Sequence, residues 1–304
     1  MKSPTLLEET LSFSPVALSQ RERYNAIAMQ APVQNAERGF ATLYLWSEAY
    51  RQELAFTGDH ALIRLGKNGN YRYVFPIGAS SPKPIIDALL QDEQPLRLIS
   101  VTERELSWML REYPDTFEVR ENRDFDDYLY SAEALDTLSG KKLHAKRNHI
   151  NAFCAAHEWS VRTLTPADFD TCRAILDAWS AEREDETLWR ERSAIERAFN
   201  AFAELELSGV LLIADGQSVA FTIGSMITPD TMDVHFEKAV PGVNGAYPTI
   251  NREFVRMMRR RFPSLAWVNR EDDMGDEGLR TSKLSYHPTE IIPKIRFRIP
   301  AEAL

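Results

Sequence analysis

The sequence predicts a mixed α/β fold in two domains that repeat one plan. Two hairpin signals and a rhyme between them carry this expectation. Asn68-Gly69 separates the apolar runs Ala61–Leu65 and Tyr71–Ile77, and Asp215-Gly216 separates Val210–Ala214 from Val219–Ile227. Such dipeptides suit two-residue hairpin turns, where both positions need positive φ. The hairpins then end alike, in Phe75-Pro76-Ile77-Gly78 and Phe221-Thr222-Ile223-Gly224. A chain of 304 residues has room for two such domains. The divide is expected near 130–134, giving residues 1–132 and 133–304. No low-complexity linker marks it, so the domains are expected to pack together.

Taken in order, residues 14–30 read as a helix with Ser14 as cap and Pro15 in its first turn. The aromatic segment Phe40–Tyr50 follows, then strands between Glu53 and Gly78. A short helix over Pro84–Leu90, a strand over Leu96–Val101 and a helix from Thr102 that stops before Pro114 come next. Phe117–Tyr130 reads as one strand with a charged middle. The second half opens on a helix from Ala134 to about His157, followed by the strand Trp159–Leu164. Thr165-Pro166 caps a helix to about Glu182, and another fits Trp189–Glu206. After the second hairpin come the strand Thr231–Lys238, a Gly-containing loop and the helix Thr249–Arg261. Leu265–Asn269 and Ile291–Ile299 are the last strands.

Composition narrows the function. Hydrophobic residues make up 44% and charged residues 27%, the balance of a chain that buries a full core. No apolar run reaches the ~20 residues of a membrane span. Residues Met1 to Glu9 carry no apolar leader, and Cys154 and Cys172 lack metal-ligand spacing. Reduced core thiols and a cytoplasmic location are the expectation. A net charge of −9 argues against a broad nucleic-acid surface, so a polyanion would need a local basic patch. Gly-x-Ser-x-Gly, P-loop, His-Glu-x-x-His and Cys-x-x-Cys signatures are absent, which removes the common serine hydrolases, P-loop NTPases, zincins and zinc ribbons.

Three stretches remain. Strand alternation would place Asp233, His235 and Glu237 on one face, and the chain then enters the loop Gly242, Val243, Asn244, Gly245, Ala246, Tyr247 before a helix. Backbone N–H groups and the positive dipole end there suit phosphate or pyrophosphate; a plain tight loop before a helix, with His235 and Glu237 as ordinary strand residues, is the alternative. The run from Asn269 through Arg270, Glu271 and Asp272 to Arg280 and Lys283 joins an acidic loop to a short helix. Its acids could hold an ammonium group and its cations a phosphate; a solvated loop is the alternative. At helical spacing Lys142, Lys146 and His149 share one face, with Arg147 beside them, as a polyanion contact or an ordinary solvated helix.

Together, Lys141 to Asn151, His235 to Ala239 with Gly245 to Asn251, and Val268 to Pro288 resemble the phosphatidylglycerol lysyltransferase C-terminal-domain family. The resemblance covers nearly the whole chain, with its blocks in order. It implies two tandem GNAT-like acyltransferase domains, an arrangement shared with Fem-type aminoacyltransferases, and an active site in the second. It further implies an acyl or aminoacyl group moved from aminoacyl-tRNA or acyl-CoA to an amine or hydroxyl. The donor would be a small molecule or aminoacyl-tRNA, and the acceptor a lipid headgroup or peptide. Glu237 or His235 would be the base, Gly242–Tyr247 would face the donor, and Asn251, Asn269, Arg270, Glu271, Asp272, Arg280 and Lys283 would line the pocket. No metal and no tightly bound cofactor are expected. A degenerate tandem-GNAT ligand-binding or sensor protein is the alternative.

Overall fold

A computed structural model describes residues 11–92, 95–181 and 188–299. The chain forms two compact units, residues 1–127 with 292–304, and residues 128–291.

The first unit is built on an eight-stranded mixed sheet. Its strands are β1 (Ser14–Pro15), β2 (Gln52–Thr57), β3 (His60–Lys67), β4 (Asn70–Val74), β5 (Ile77–Gly78), β6 (Arg97–Val101), β7 (Glu118–Arg120) and, from the chain's end, β15 (Ile295–Arg298). Their order is β1-β2-β3-β4-β6-β15-β7, with β5 beside β3. Lys67 faces Asn70 across the predicted turn, and Asn68 and Gly69 take φ of 54° and 77°. Helices α1 (Arg21–Ala28), α2 (Phe40–Tyr50), α3 (Lys83–Asp92) and α4 (Glu103–Glu112) complete the unit. Thr102 and Glu105 form a reciprocal capping box at the start of α4.

The second unit carries a seven-stranded sheet in the order β14-β8-β13-β12-β11-β10-β9. These are β8 (Asp127–Ser131), β9 (Trp159–Thr163), β10 (Ser208–Ala214), β11 (Gln217–Thr228), β12 (Thr231–Ala239), β13 (Trp267–Asn269) and β14 (Glu290–Ile292). Its helices are α5 (Ala132–Thr137), α6 (His144–Ala156), α7 (Phe169–Ser180), α8 (Leu188–Asn200), α9 (Ala246–Arg261) and α10 (Glu277–Leu284). The predicted hairpin is present, with Ala214 facing Gln217 and φ of 50° and 76° at Asp215 and Gly216. Ala132, Leu135, Phe153, Ile250, Phe254 and Met258 pack with Val210, Leu212, Met232 and Val234 into one buried core.

Several expectations are corrected. Ser14 and Pro15 pair with Leu54 and Glu53 as a strand, so the first helix starts only at Arg21. The stretch 117–130 is two strands of different sheets, parted by a turn in which the Asn122 side chain accepts from the Asp124 N–H. The helix expected over 134–157 breaks where Leu138 and Gly140 take φ of 48° and 83°. Glu182, the expected end of one helix, lies outside the described residues, and α8 ends at Asn200 rather than Glu206. The final stretch also divides. β14 stays with the second sheet, whereas β15 returns to the first, between β6 and β7, with Phe297 in that core. Lys294 fixes this return through ion pairs of 2.6 Å to Glu37 and to Asp127. The first unit therefore includes the chain's end, and a single cut at 132/133 does not describe the division.

Candidate functional site

The site grows from an irregularity in β12. Ile223 faces Phe236 across the β11–β12 ladder, yet Gly224 faces Val234, so His235 is an extra residue bulged out of register. Gly224 is required here, because a Cβ would strike the Asp233 carbonyl and stand 3.1 Å from the Phe254 ring. One extra residue reverses the strand's phase. Met232 and Val234 face the core under α5, α6 and α9; past the bulge it is Ala239 that does so. Glu237 accordingly meets Asn251 of α9. Lys238 points the other way, over the Trp179 ring of α7 at 3.6 Å and onto Glu191 of α8 at 2.7 Å. The expected common face of Asp233, His235 and Glu237 does not form. The bulge separates them into two clusters.

The second irregularity is where β12 and β13 part. These neighbours run parallel and pair only over Thr231–Asp233 with Trp267–Asn269. β12 continues to Ala239, while the other chain turns along β8, with the Arg270 N–H bonded to the Tyr128 carbonyl at 3.0 Å. The place where parallel strands part at their carboxyl ends is the usual ligand position in open α/β sheets. Consecutive side chains leaving β13 reach the two clusters.

Arg270 reaches Glu237, Nη2 to Oε1 at 3.0 Å, and Asn251 Nδ2 donates to the other carboxylate oxygen at 2.9 Å. The Arg270 guanidinium lies 4.8 Å over the Tyr286 ring and 5.8 Å over Tyr130. Lys146, on the inward stripe of α6 with Ile150 and Phe153, stands 3.9 Å from the centre of the same Tyr286 ring. Burial works against the Arg270 charge, but Glu237 outweighs it and raises its pKa. For Lys146 burial wins, aided by Arg270, and its pKa falls to about 8. Burial likewise pushes the Tyr130 and Tyr286 phenols well above their usual range. Two buried polar atoms beside Glu237, Arg270 Nη1 and Asn251 Oδ1, have no hydrogen-bond partner in the protein. Such atoms are costly unless something pairs with them.

Glu271 reaches the other cluster, 3.6 Å from His235 Nδ1, while Asp233 lies 3.3 Å from the same nitrogen. Ser225 Oγ sits 2.8 Å from His235 Nε2. Burial favours neutral His235, yet Asp233 and Glu271 reverse this and lift its pKa to about 9. Burial and Asp233 push Glu271 upward.

The other predicted residues are distributed as follows. Asn269 is buried and its side chain accepts from the Glu271 N–H at 2.7 Å. Asp272 accepts from the Met274 N–H at 3.2 Å. Lys283 is buried and donates to the carbonyls of Arg270 at 2.6 Å, Glu271 at 3.2 Å and Asp272. Arg280 grips Asp273 with two bonds of 2.9 and 2.7 Å. Both cations thus shape the loop after β13. Lys142 lies in a turn before α6, so the expected helical face of Lys142, Lys146 and His149 does not form. Arg147 donates to the Leu138 and Gly140 carbonyls, and Lys142 and His149 are exposed.

Around the glycine loop, Gly242, Asn244 and Tyr247 are exposed, Val243 is half-buried and Ala246 is buried. Gly245 caps α9 with φ 86°, and a Cβ there would stand 2.5 Å from the His149 carbonyl oxygen. The Ala246 N–H bonds to the Val243 carbonyl at 3.2 Å, and Pro248 has no N–H to give. Tyr130, Tyr286 and Ser225 were not singled out from sequence. Tyr286 lies inside the Val268–Pro288 stretch that carries the family resemblance, whereas Tyr130 and Ser225 carry no local signal.

Among solved structures, a conserved protein of unknown function from Bacteroides thetaiotaomicron is 30% identical, with TM-score 0.89 over 95% of this chain and 100% of that one. L-PGS from Bacillus licheniformis is similar at TM-score 0.63 and 11% identity, over 91% of each chain. A tandem GNAT protein from the clavulanic acid biosynthesis pathway matches at TM-score 0.52 and 11% identity, over 95% of this chain and 98% of that one. The fold is the tandem GNAT arrangement, and no helix among the described residues is long and apolar enough to cross a membrane. A family model described as phosphatidylglycerol lysyltransferase, C-terminal, matches residues 30–297, and the chain belongs to that family.

Proposed function

We propose that the second unit transfers an aminoacyl group from aminoacyl-tRNA to an amine or hydroxyl at the parting of β12 and β13. The carrying observation is the pair of unpartnered buried atoms flanking Glu237, Arg270 Nη1 and Asn251 Oδ1. A donor and an acceptor on the two residues that hold one carboxylate suit a carbonyl oxygen and an attacking N–H or O–H. In this reading Arg270 steadies the developing oxyanion and Asn251 orients the nucleophile. Attack forms the new C–N or C–O bond, the nucleophile's proton passes to Glu237, and the C–O bond to the tRNA breaks as its 3′ oxygen takes up a proton.

Two features favour an aminoacyl ester over acyl-CoA. The first turn of α9 has its Ala246 N–H already bonded and a proline at the third position, which weakens a pyrophosphate grip. Membership of the lysyltransferase family points the same way. A lipid headgroup or a peptide amine is the acceptor class proposed.

One observation supports a second reading of the base. Lys146, with its pKa lowered to about 8, is more often in the neutral, proton-accepting form near neutral pH than an ordinary lysine. Its loss would remove the base while leaving Glu237 to orient the acceptor. The test incubates the purified chain with labelled aminoacyl-tRNAs and, separately, labelled acyl-CoAs, with phosphatidylglycerol vesicles or a lysine-bearing peptide as acceptor. Transfer from one aminoacyl-tRNA, and none from acyl-CoA, is expected. Binding without turnover would instead support a sensor.

A further inference from the structure

We propose that Asp233, His235 and Glu271 bind one divalent cation of the Zn2+ or Mn2+ type, at a site separate from the transfer reading. One ligand atom from each lies within 4.8 Å of the other two. His235 Nδ1 is 3.3 Å from Asp233 Oδ2 and 3.6 Å from Glu271 Oε1. An ion with bonds of about 2.0–2.2 Å to such ligands sets them roughly 3–3.5 Å apart, the spacing observed for the first pair and nearly so for the second.

The histidine is oriented for this role. Its side chain is fully buried, and Nε2 meets Ser225 Oγ at 2.8 Å. With Nε2–H donated to Ser225, the Nδ1 lone pair points between the two carboxylates, as ligating imidazoles do when their other nitrogen is held. Neither Nδ1 nor Glu271 Oε1 has a hydrogen-bond partner.

Charge points the same way. An ion displaces the protons that these groups hold without it, and two carboxylates with a neutral imidazole then match its double positive charge in a buried place. One nitrogen and two oxygens suit Zn2+ or Mn2+ better than the all-oxygen sets of Ca2+ and Mg2+, and three protein ligands leave a coordination position open. Asp233 comes from the regular part of β12, His235 from its bulge and Glu271 from the chain leaving β13. The ion would tie these two together one residue from Arg270 and two from Glu237. That makes it a clamp where the two strands part.

The test uses the full chain, stripped with a chelator and dialysed, then titrated with Zn2+ alone and with Mn2+ alone. Calorimetry and thermal unfolding are the readouts. One ion per chain and a raised Tm are expected, with affinity at least tenfold weaker in both His235→Ala and Glu271→Gln. Circular dichroism confirms folding; if His235→Ala does not fold, Glu271→Gln and Ser225→Ala carry the comparison, with the latter weakened but not abolished. A stripped wild-type chain that binds neither ion and gains no Tm overturns the proposal. So does binding that survives Glu271→Gln unchanged.

Discussion

Glu237 and Arg270 close an ion pair of 3.0 Å across the line where β12 and β13 separate, with both side chains close to fully buried. Neither strand supplies it alone. Glu237 faces this way only because His235 is inserted before it, and Arg270 only because it is the first residue past β13. Breaking a buried pair by removing one charge leaves the other uncompensated, at a cost of about 3–5 kcal/mol. Arg270→Met should therefore lower stability by about that much in urea unfolding. Glu237→Gln, whose amide oxygen still accepts from Arg270 but leaves its charge uncompensated, should fall at the lower end of that range, about 3 kcal/mol. The double variant should be more stable than the sum of the two losses predicts. Simple additivity would mean that the pair does not act as a unit.

Lys146 gives a pH dependence. Burial and Arg270 hold its folded pKa near 8, against 10.5 for an ordinary lysine. Below pH 8 both the folded and unfolded chains carry the proton, and the full cost of burying the charge stands. Between about 8 and 10.5 the unfolded chain binds more protons, so this lysine's contribution to stability rises with pH across that window. Lys146→Met should thus be more stable than wild type at pH 7, by about 1 kcal/mol once solvent screening of this partly exposed group is allowed for. The advantage should vanish by pH 10.5. Urea titrations at several pH values check it, and a constant difference would assign the effect to packing on Tyr286.

Lys283 is expected to hold the loop after β13. Its ammonium gathers the carbonyls of Arg270, Glu271 and Asp272 from a buried position. Hydrogen bonds from a charged donor contribute about 1.5–3 kcal/mol each. Lys283→Met should destabilise the unit by at least 2 kcal/mol and raise hydrogen exchange across residues 271–275. Exchange raised evenly over the whole unit would show a global effect and no specific loop role.

The structure also shows which features sequence could carry. Hairpins at Asn68-Gly69 and Asp215-Gly216 were legible because a two-residue turn is decided by its own residues. Glu237, Asn251 and Arg270 were named from sequence, but their meeting depends on the bulge at His235. That bulge is set by Gly224 on the opposite strand, a cross-strand relation that alternation in β12 does not reveal. The return of β15 to the first sheet rests on pairing with β6 and β7, far away in sequence. Lys283 and Arg280 read as free cations because the carbonyls and the Asp273 carboxylate that bind them come from loop geometry.

The most direct measurement is single-turnover transfer from the active aminoacyl-tRNA in wild type, Glu237→Gln and Lys146→Met, across pH 6 to 9. With Glu237 as base, Glu237→Gln should slow the chemical step by about 10²–10⁴-fold at every pH while aminoacyl-tRNA binding stays within a few-fold of wild type. With Lys146 as base, wild-type rate should rise through pH 8, and Lys146→Met should abolish that rise. Transfer at wild-type rate in both variants would contradict the placement of the transfer site between β12 and β13.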